Sequence, residues 1–289
     1  MTAYSLTEAP AGVANPEVWT RGVPGKVAAG DLWLLSWDGV GAGLGAISAR
    51  MPGYVLVWPV TLPSEPSHSP ALMLETSPLG VPVSIWPTRE TGVGDAVLHR
   101  RLGHLLAPRL MVAIEDALDE DENPPLPFAH PASDPAQQRV QDEEMIDRWE
   151  AICLTQWPAP TATDPRLDRE AASSHGLTPT RLSELLKVDA SEAVALQLGE
   201  VSLAPGQAET IAADLGVAVT DLLTPTRATA TAVLLDPAWK DHVLRLAAHR
   251  DISEASARDL VATEFALAAR SSNSPADLLR AAFARLLGE

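Results

Sequence analysis

One cysteine, Cys153, is all that this chain of 289 residues offers for sulfur cross-linking. An internal disulfide is therefore excluded, and a reducing cytoplasm is the expected setting. No apolar run approaches the roughly 20 residues needed to span a bilayer. The start, Met1-Thr2-Ala3-Tyr4, lacks the basic and apolar stretches of a signal peptide, so no membrane partner is expected. Cations are scarce as well: 21 Lys+Arg stand against 38 Asp+Glu, for a net charge of −17. Nucleic-acid binding rests largely on cations that neutralise phosphates, so any such role has to come from particular residues. There is no His-Glu-x-x-His, no Cys-x-x-Cys, no P-loop and no dinucleotide fingerprint, and neither a metal nor a cofactor is expected.

What is present is 46% apolar residues, ample for a core, in a chain whose length suits about two or three domains. The charge is uneven. Residues 1–125 hold 7 basic and 14 acidic side chains, 126–160 hold 2 and 6, 161–225 hold 4 and 10, and 226–289 hold 8 of each. Prolines and glycines make 1–25 read as an irregular lead-in. Gly30 to Trp37 and Tyr54 to Thr61 read as strands, with Pro59 marking an edge or a bulge. Gly39 to Gly45 reads as a flexible turn or a tight backbone approach. Ala71 to Leu74 and Val81 to Trp86 read as further strands. Leu102, Leu105, Leu106, Leu110, Ile114 and Leu118 recur at helical spacing.

The five prolines of 123–135 indicate a linker, followed by a connecting helix over 136–160. Helix starts recur at Asp134-Pro135, Asp164-Pro165, Thr178-Pro179, Asp236-Pro237 and Ser274-Pro275, each pairing a capping oxygen with a proline that needs no partner there. A helical tail covers 229–289. In its last segment Leu278, Leu279, Ala282, Phe283, Leu286 and Leu287 form a stripe suited to a core or a homodimer seam. Cys153, between Ile152 and Leu154, reads as a structural thiol, and Trp33, Trp37 and Trp58 as core packing.

Three segments of 26–122 resemble the MazF/PemK family of mRNA-cleaving toxins: Gly30-Asp31-Leu32-Trp33, Val55-Leu56-Val57-Trp58-Pro59-Val60-Thr61, and Leu102-Gly103-His104-Leu105 through Leu118. The resemblance implies a small SH3-like β-barrel with a closing helix, and places Thr61 at the family's active-site hydroxyl. The family also uses an arginine in the first loop, suited to stabilising developing phosphorane charge. Here that loop, Asp38 to Gly45, carries no cation, and Arg50 and Arg89 are the candidates to stand in. The resemblance thus implies the fold with a degenerate site.

Residues 164–224 resemble the five-helix Cro/phage-repressor (XRE) class of helix-turn-helix domains. Leu177 to Leu186 fits the second helix, Asp189 to Gln197 the recognition helix, and Thr210 to Leu223 the last two. Leu182, Leu186, Val188, Ala193, Leu196, Ile211 and Leu215 become core positions. Thr180, Arg181, Lys187, Asp189, Ala190, Glu192, Val194, Ala195 and Gln197 become the DNA-binding or partner surface. Base reading calls for Arg, Lys, Gln or Asn. Acidic and apolar residues dominate instead, which suits a protein partner.

The expectation is a multi-domain α+β regulator without enzymatic activity, working through protein contacts, with DNA binding as a further element, in transcriptional or toxin–antitoxin control. Two rivals are an endoribonuclease using Thr61 and an acidic inhibitor that mimics nucleic acid.

Overall fold

A computed structural model describes residues 3–131, 134–157, 165–204, 206–223, 227–268 and 274–288. A short helix α1 (Pro16–Arg21) precedes seven strands: β1 (Asp31–Trp37), β2 (Val40–Met51), β3 (Tyr54–Thr61), β4 (Leu72–Leu74), β5 (Val83–Ile85), β6 (Thr91–Gly94) and β7 (Leu98–His104). They form one antiparallel sheet in the order β4-β5-β3-β2-β1-β7, with β6 also beside β3. Helices α2 (Pro108–Asp119) and α3 (Pro135–Leu154) follow.

Side chains alternate across a strand, and both faces of this sheet are covered. Leu32 and Leu34 join Trp19, Trp58, Val60, Met111 and Ile114 in one core. Trp33 and Leu35 join Ile47, Val55, Val57, Trp86, Met145, Trp149 and Ile152 in another. Burial on both sides explains why β1 reads as a continuous apolar run and not as an alternation.

Three expectations are corrected. The lead-in is structured, because Trp19 on α1 is fully buried and Tyr4 exchanges backbone hydrogen bonds with Gly41 at 3.0 Å each. A Cβ at Gly41 would lie 2.7 Å from that of Tyr4, so the glycine tract serves close approach within β2. The helix placed from Leu102 onward starts only at Pro108. Residues 98–104 pair with β1, and Pro108 fits the first helical position while it would break a helix interior. Pro59 lies neither at an edge nor in a bulge. Residues 54–57 of β3 pair with β6, and 60–61 with β5, so the missing N–H falls where β3 changes partner.

The C-terminal half is helical: α4 (Arg169–Ser174), α5 (Pro179–Leu186), α6 (Ala190–Gln197), α7 (Gln207–Leu215), α8 (Val219–Leu222), α9 (Arg227–Leu234), α10 (Lys240–Arg250), α11 (Glu254–Ala268) and α12 (Pro275–Leu287). Asp134, Thr178 and Ser274 cap α3, α5 and α12 through their side chains. Asp236 caps a 3₁₀ turn, Pro237–Trp239, that leads into α10. Asp164 lies outside the described residues, and α4 is capped instead by Asp168.

The molecule divides into two units. Unit 1 holds the sheet, α1–α3 and a returning segment, Leu235–Ala255. Unit 2 holds α4–α9, the remainder of α11 and α12. The tail expected as one body over 229–289 is thus split. Its central part belongs with the sheet because the Lys240 ammonium donates to the carbonyls of Ser36 and Ala96. In unit 2, Leu182, Ala193, Leu196 and Ile211 are buried, with Leu186, Val188 and Leu215 packed against them. Leu278, Leu279, Ala282 and Phe283 of α12 are buried within the single chain, which makes these four core residues. Among the described residues no helix is long and apolar enough to cross a membrane.

Candidate functional site

Thr61, at the end of β3, is only 2% exposed. Its hydroxyl accepts the indole N–H of Trp86 at 3.2 Å, and Trp86 is itself fully buried. The hydroxyl is therefore sealed from any substrate in this conformation. The two arginines that a nuclease reading would borrow are both engaged. Arg50 pairs with Asp95 at 3.3 Å, and Arg89 with Asp142 at 2.6 Å. Burial pushes the Asp95 carboxyl above its ordinary range, with Arg50 opposing the rise.

A second constellation was not visible in the sequence. Ser36 Oγ lies 2.9 Å from His99 Nδ1, and His99 Nε2 lies 2.9 Å from Asp241 Oδ1. Burial holds His99 below the usual imidazole range, while the His99 hydrogen bond brings the Asp241 carboxyl down to about 2. With Asp241 ionised, Nε2 carries the proton and Nδ1 accepts from the serine. The order Ser-His-Asp has the composition of a hydrolytic triad, yet Ser36 is 0% exposed, so the hydroxyl reaches no substrate.

Beside the triad, Lys240 Nζ donates to Ser36 O at 2.9 Å, Ala96 O at 2.8 Å and Glu254 Oε1 at 2.6 Å. All three of its donors are matched, as a buried ammonium requires. Glu254 Oε2 accepts from Asp38 N, and Asp38 Oδ1 accepts from Glu254 N. No sequence signal links Ser36, His99, Lys240 and Glu254; only the return of Leu235–Ala255 to the sheet unit brings them together.

On α6 the candidate surface separates into spent and open positions. Asp189 caps the helix by accepting from Glu192 N at 2.8 Å. Gln197 donates to Leu177 O at 2.7 Å, which consumes the one side chain suited to reading adenine. Arg181 pairs with Asp214 at 2.8 Å. Lys187 ends α5 in a left-handed conformation, at φ 56°, and is exposed, as is Thr180. Ala195 is half-buried. What α6 leaves in solvent is Ala190, Ser191, Glu192 and Val194, followed by Leu198. Ala190, Val194 and Leu198 are spaced four apart, so they share one side of the helix. No cation lies between Asp189 and Val201.

On unit 1 a groove of about 490 Å³ runs between the β1–β2 turn and α3, with Trp37, Val40 and Ile152 as apolar lining and Glu144, Asp147 and Arg148 as charged lining. Among the described residues no group of three metal-ligating side chains gathers. The Cys153 thiol donates to Gly92 O at 2.8 Å. Comparison with protein-family models, with curated proteins and with solved structures finds no match.

Proposed function

We propose that the chain is a non-enzymatic regulatory protein that works through protein contacts made by α6 and its surroundings. The observation that carries this is the character of the α6 surface. Asp189 and Gln197 are spent on the domain's own backbone, and apart from the Ser191 hydroxyl its open members are apolar or acidic. Phosphates would meet Asp189 and Glu192 with no cation on α6 itself to offset them, whereas a basic protein surface with apolar anchors would find complementary chemistry.

Within this reading, α4–α8 form a repressor-type helix-turn-helix fold turned toward protein. The sheet unit is a MazF-like, SH3-type barrel whose active-site hydroxyl is no longer available. Five consecutive helices around one aliphatic core support the first assignment. The sealing of Thr61 by Trp86 supports the loss of nuclease function. Transcriptional or toxin–antitoxin control is the setting that this pairing of resemblances suggests.

The test combines three assays on the purified full-length chain. A mobility shift with genomic fragments at several salt concentrations is expected to show no salt-sensitive complex. Prolonged incubation with a long mRNA is expected to leave it intact. The double variant V194D/L198D is expected to lose protein partners captured by the unsubstituted chain while keeping its circular dichroism. A salt-sensitive DNA shift, or RNA cleavage that T61A abolishes, would overturn the proposal.

A further inference from the structure

Near Thr61 an arginine and a histidine converge on one carboxylate. Arg89 Nη2 donates to Asp142 Oδ1 at 2.6 Å, and His68 Nε2 lies 3.3 Å from the same oxygen. Both side chains rest on Trp86. The His68 ring meets it edge-on at 5.1 Å, and the Arg89 guanidinium stands 5.8 Å from the ring centroid. His68 is 2% exposed. Its Nδ1 and the Nε of Arg89 are buried with no hydrogen-bond partner among the described residues. Arg89 and Asp142 are each 26% exposed, so the cluster opens to solvent on the side of the carboxylate.

Asp142 reaches the cluster from α3, and its position on that helix matters. Residues 135–141 contain no buried side chain, and Val140 among them is 54% exposed. The anchors Met145, Trp149 and Ile152 all follow Asp142 and lie in the core. Asp142 therefore sits at the boundary between two unburied turns and the fixed remainder. A helix start with few buried contacts opens at low free energy. Fraying through Asp142 would remove the carboxylate without disturbing the core.

We propose that Arg89 and His68 form an oxyanion-binding site, which Asp142 fills in the closed form and which fraying of the start of α3 uncovers. The ligand class is a carboxylate or phosphate group, since the guanidinium fork matches either. A nucleobase has no place in it, because Trp86 is fully buried and offers no open face for stacking. The site binds and does not cleave, as the Thr61 hydroxyl is occupied by Trp86.

The test uses the full-length variant D142A, with thermal unfolding followed by tryptophan fluorescence in phosphate, in acetate, and in chloride at matched ionic strength. When only a minor fraction of molecules is open, apparent affinity falls by that fraction. An open population of about a tenth or less therefore predicts phosphate or acetate affinity at least about tenfold tighter in D142A than in the unsubstituted chain. The phosphate and acetate arms distinguish the two ligand sources, and R89Q/D142A is expected to lose the response. Equal responses with and without D142A, or a response retained by R89Q/D142A, would overturn the proposal. Should D142A not fold, hydrogen exchange on the unsubstituted chain decides. Phosphate or acetate, and not chloride, must then speed exchange at 135–142, and unchanged exchange would sink the idea.

Discussion

All eight tryptophans and both tyrosines lie in unit 1, while the aromatic content of unit 2 is Phe265 and Phe283. Among the described residues most buried polar side chains also fall in unit 1, with Thr231 and Arg258 the buried polar members of unit 2. Unit 1 buries Lys240 against Glu254, ties Asp31 to Arg101 through two hydrogen bonds of 2.7 and 2.8 Å, and joins Ser36, His99 and Asp241 in a chain. The helices around α6 rest on leucine, isoleucine and alanine, with Asp168, Thr178 and Asp189 as caps. Unit 1 is therefore built around several clusters of matched polar groups. Around α6, aliphatic packing and local capping suffice, and the outward surface is left to vary. Tryptophan fluorescence reports unit 1 alone, so it can be set against far-ultraviolet circular dichroism, which reports both.

The comparison is tested hardest at Lys240. Removing one member of a buried ion pair leaves the other uncompensated and costs about 3–5 kcal/mol. K240M is expected to lower the fluorescence-detected stability by that order, and K240M/E254L is expected to recover much of the loss. If K240M is instead as stable as the unsubstituted chain by denaturant unfolding, the matched interior is not what holds unit 1. Next comes Leu182, fully buried in the aliphatic core. L182A is expected to cost about 2–5 kcal/mol in the circular-dichroism transition and to leave the tryptophan midpoint in place. A tryptophan midpoint that shifts equally would break the division into two units.

A smaller effect separates the units by pH. His99 is held below its ordinary value by burial, so the unfolded chain binds a proton that the folded chain refuses. Stability from this source is fully present above about pH 6.5 and declines as pH falls toward the lowered folded value. Asp241, brought down to about 2, acts with the same sign in a more acidic window, from its ordinary range near 3.8 down to about 2. Fluorescence-detected stability is expected to fall between pH 7 and 5. H99Q is expected to flatten that slope, and an unchanged slope would remove His99 as its source.

How much of this was legible in the sequence follows from how far each signal reaches. Caps act within three residues, so Asp134, Thr178 and Ser274 could be read directly as helix starts. The strand Asp31–Trp37 declared itself by an apolar run bounded by glycines, and Tyr54–Thr61 by its β-branched and aromatic residues. The strand Val40–Met51 did not, because its glycines and alanines mark places where Tyr4, Trp149 and Val57 press close. Residues 98–104 were absorbed into a helical periodicity that pairing with β1 overrode. On α6 the exposed residues could be listed, but the use of Gln197 on Leu177 O could not, since that bond depends on how two helices meet. The clusters at Lys240 and Asp142 depend on bonds such as Arg89 to Asp142 and Lys240 to Ser36, 53 and 204 positions apart, and no local pattern encodes them.

The mildest prediction concerns a cap. Thr178 accepts from Arg181 N at 3.2 Å and satisfies one of the donors that the first turn of α5 leaves unpaired. Pro179 behind it already fixes the backbone at the first helical position, so the helix keeps its start even without the hydroxyl. T178A is thus expected to cost about 1 kcal/mol, visible as a modest drop in the circular-dichroism midpoint, whereas T178S should restore most of it. Neither variant should move the tryptophan midpoint, because the capped helix lies in a unit without tryptophan. A loss larger than that of L182A would mean that α5 depends on its first turn more than on its buried leucine. Local capping would then outweigh aliphatic packing in unit 2.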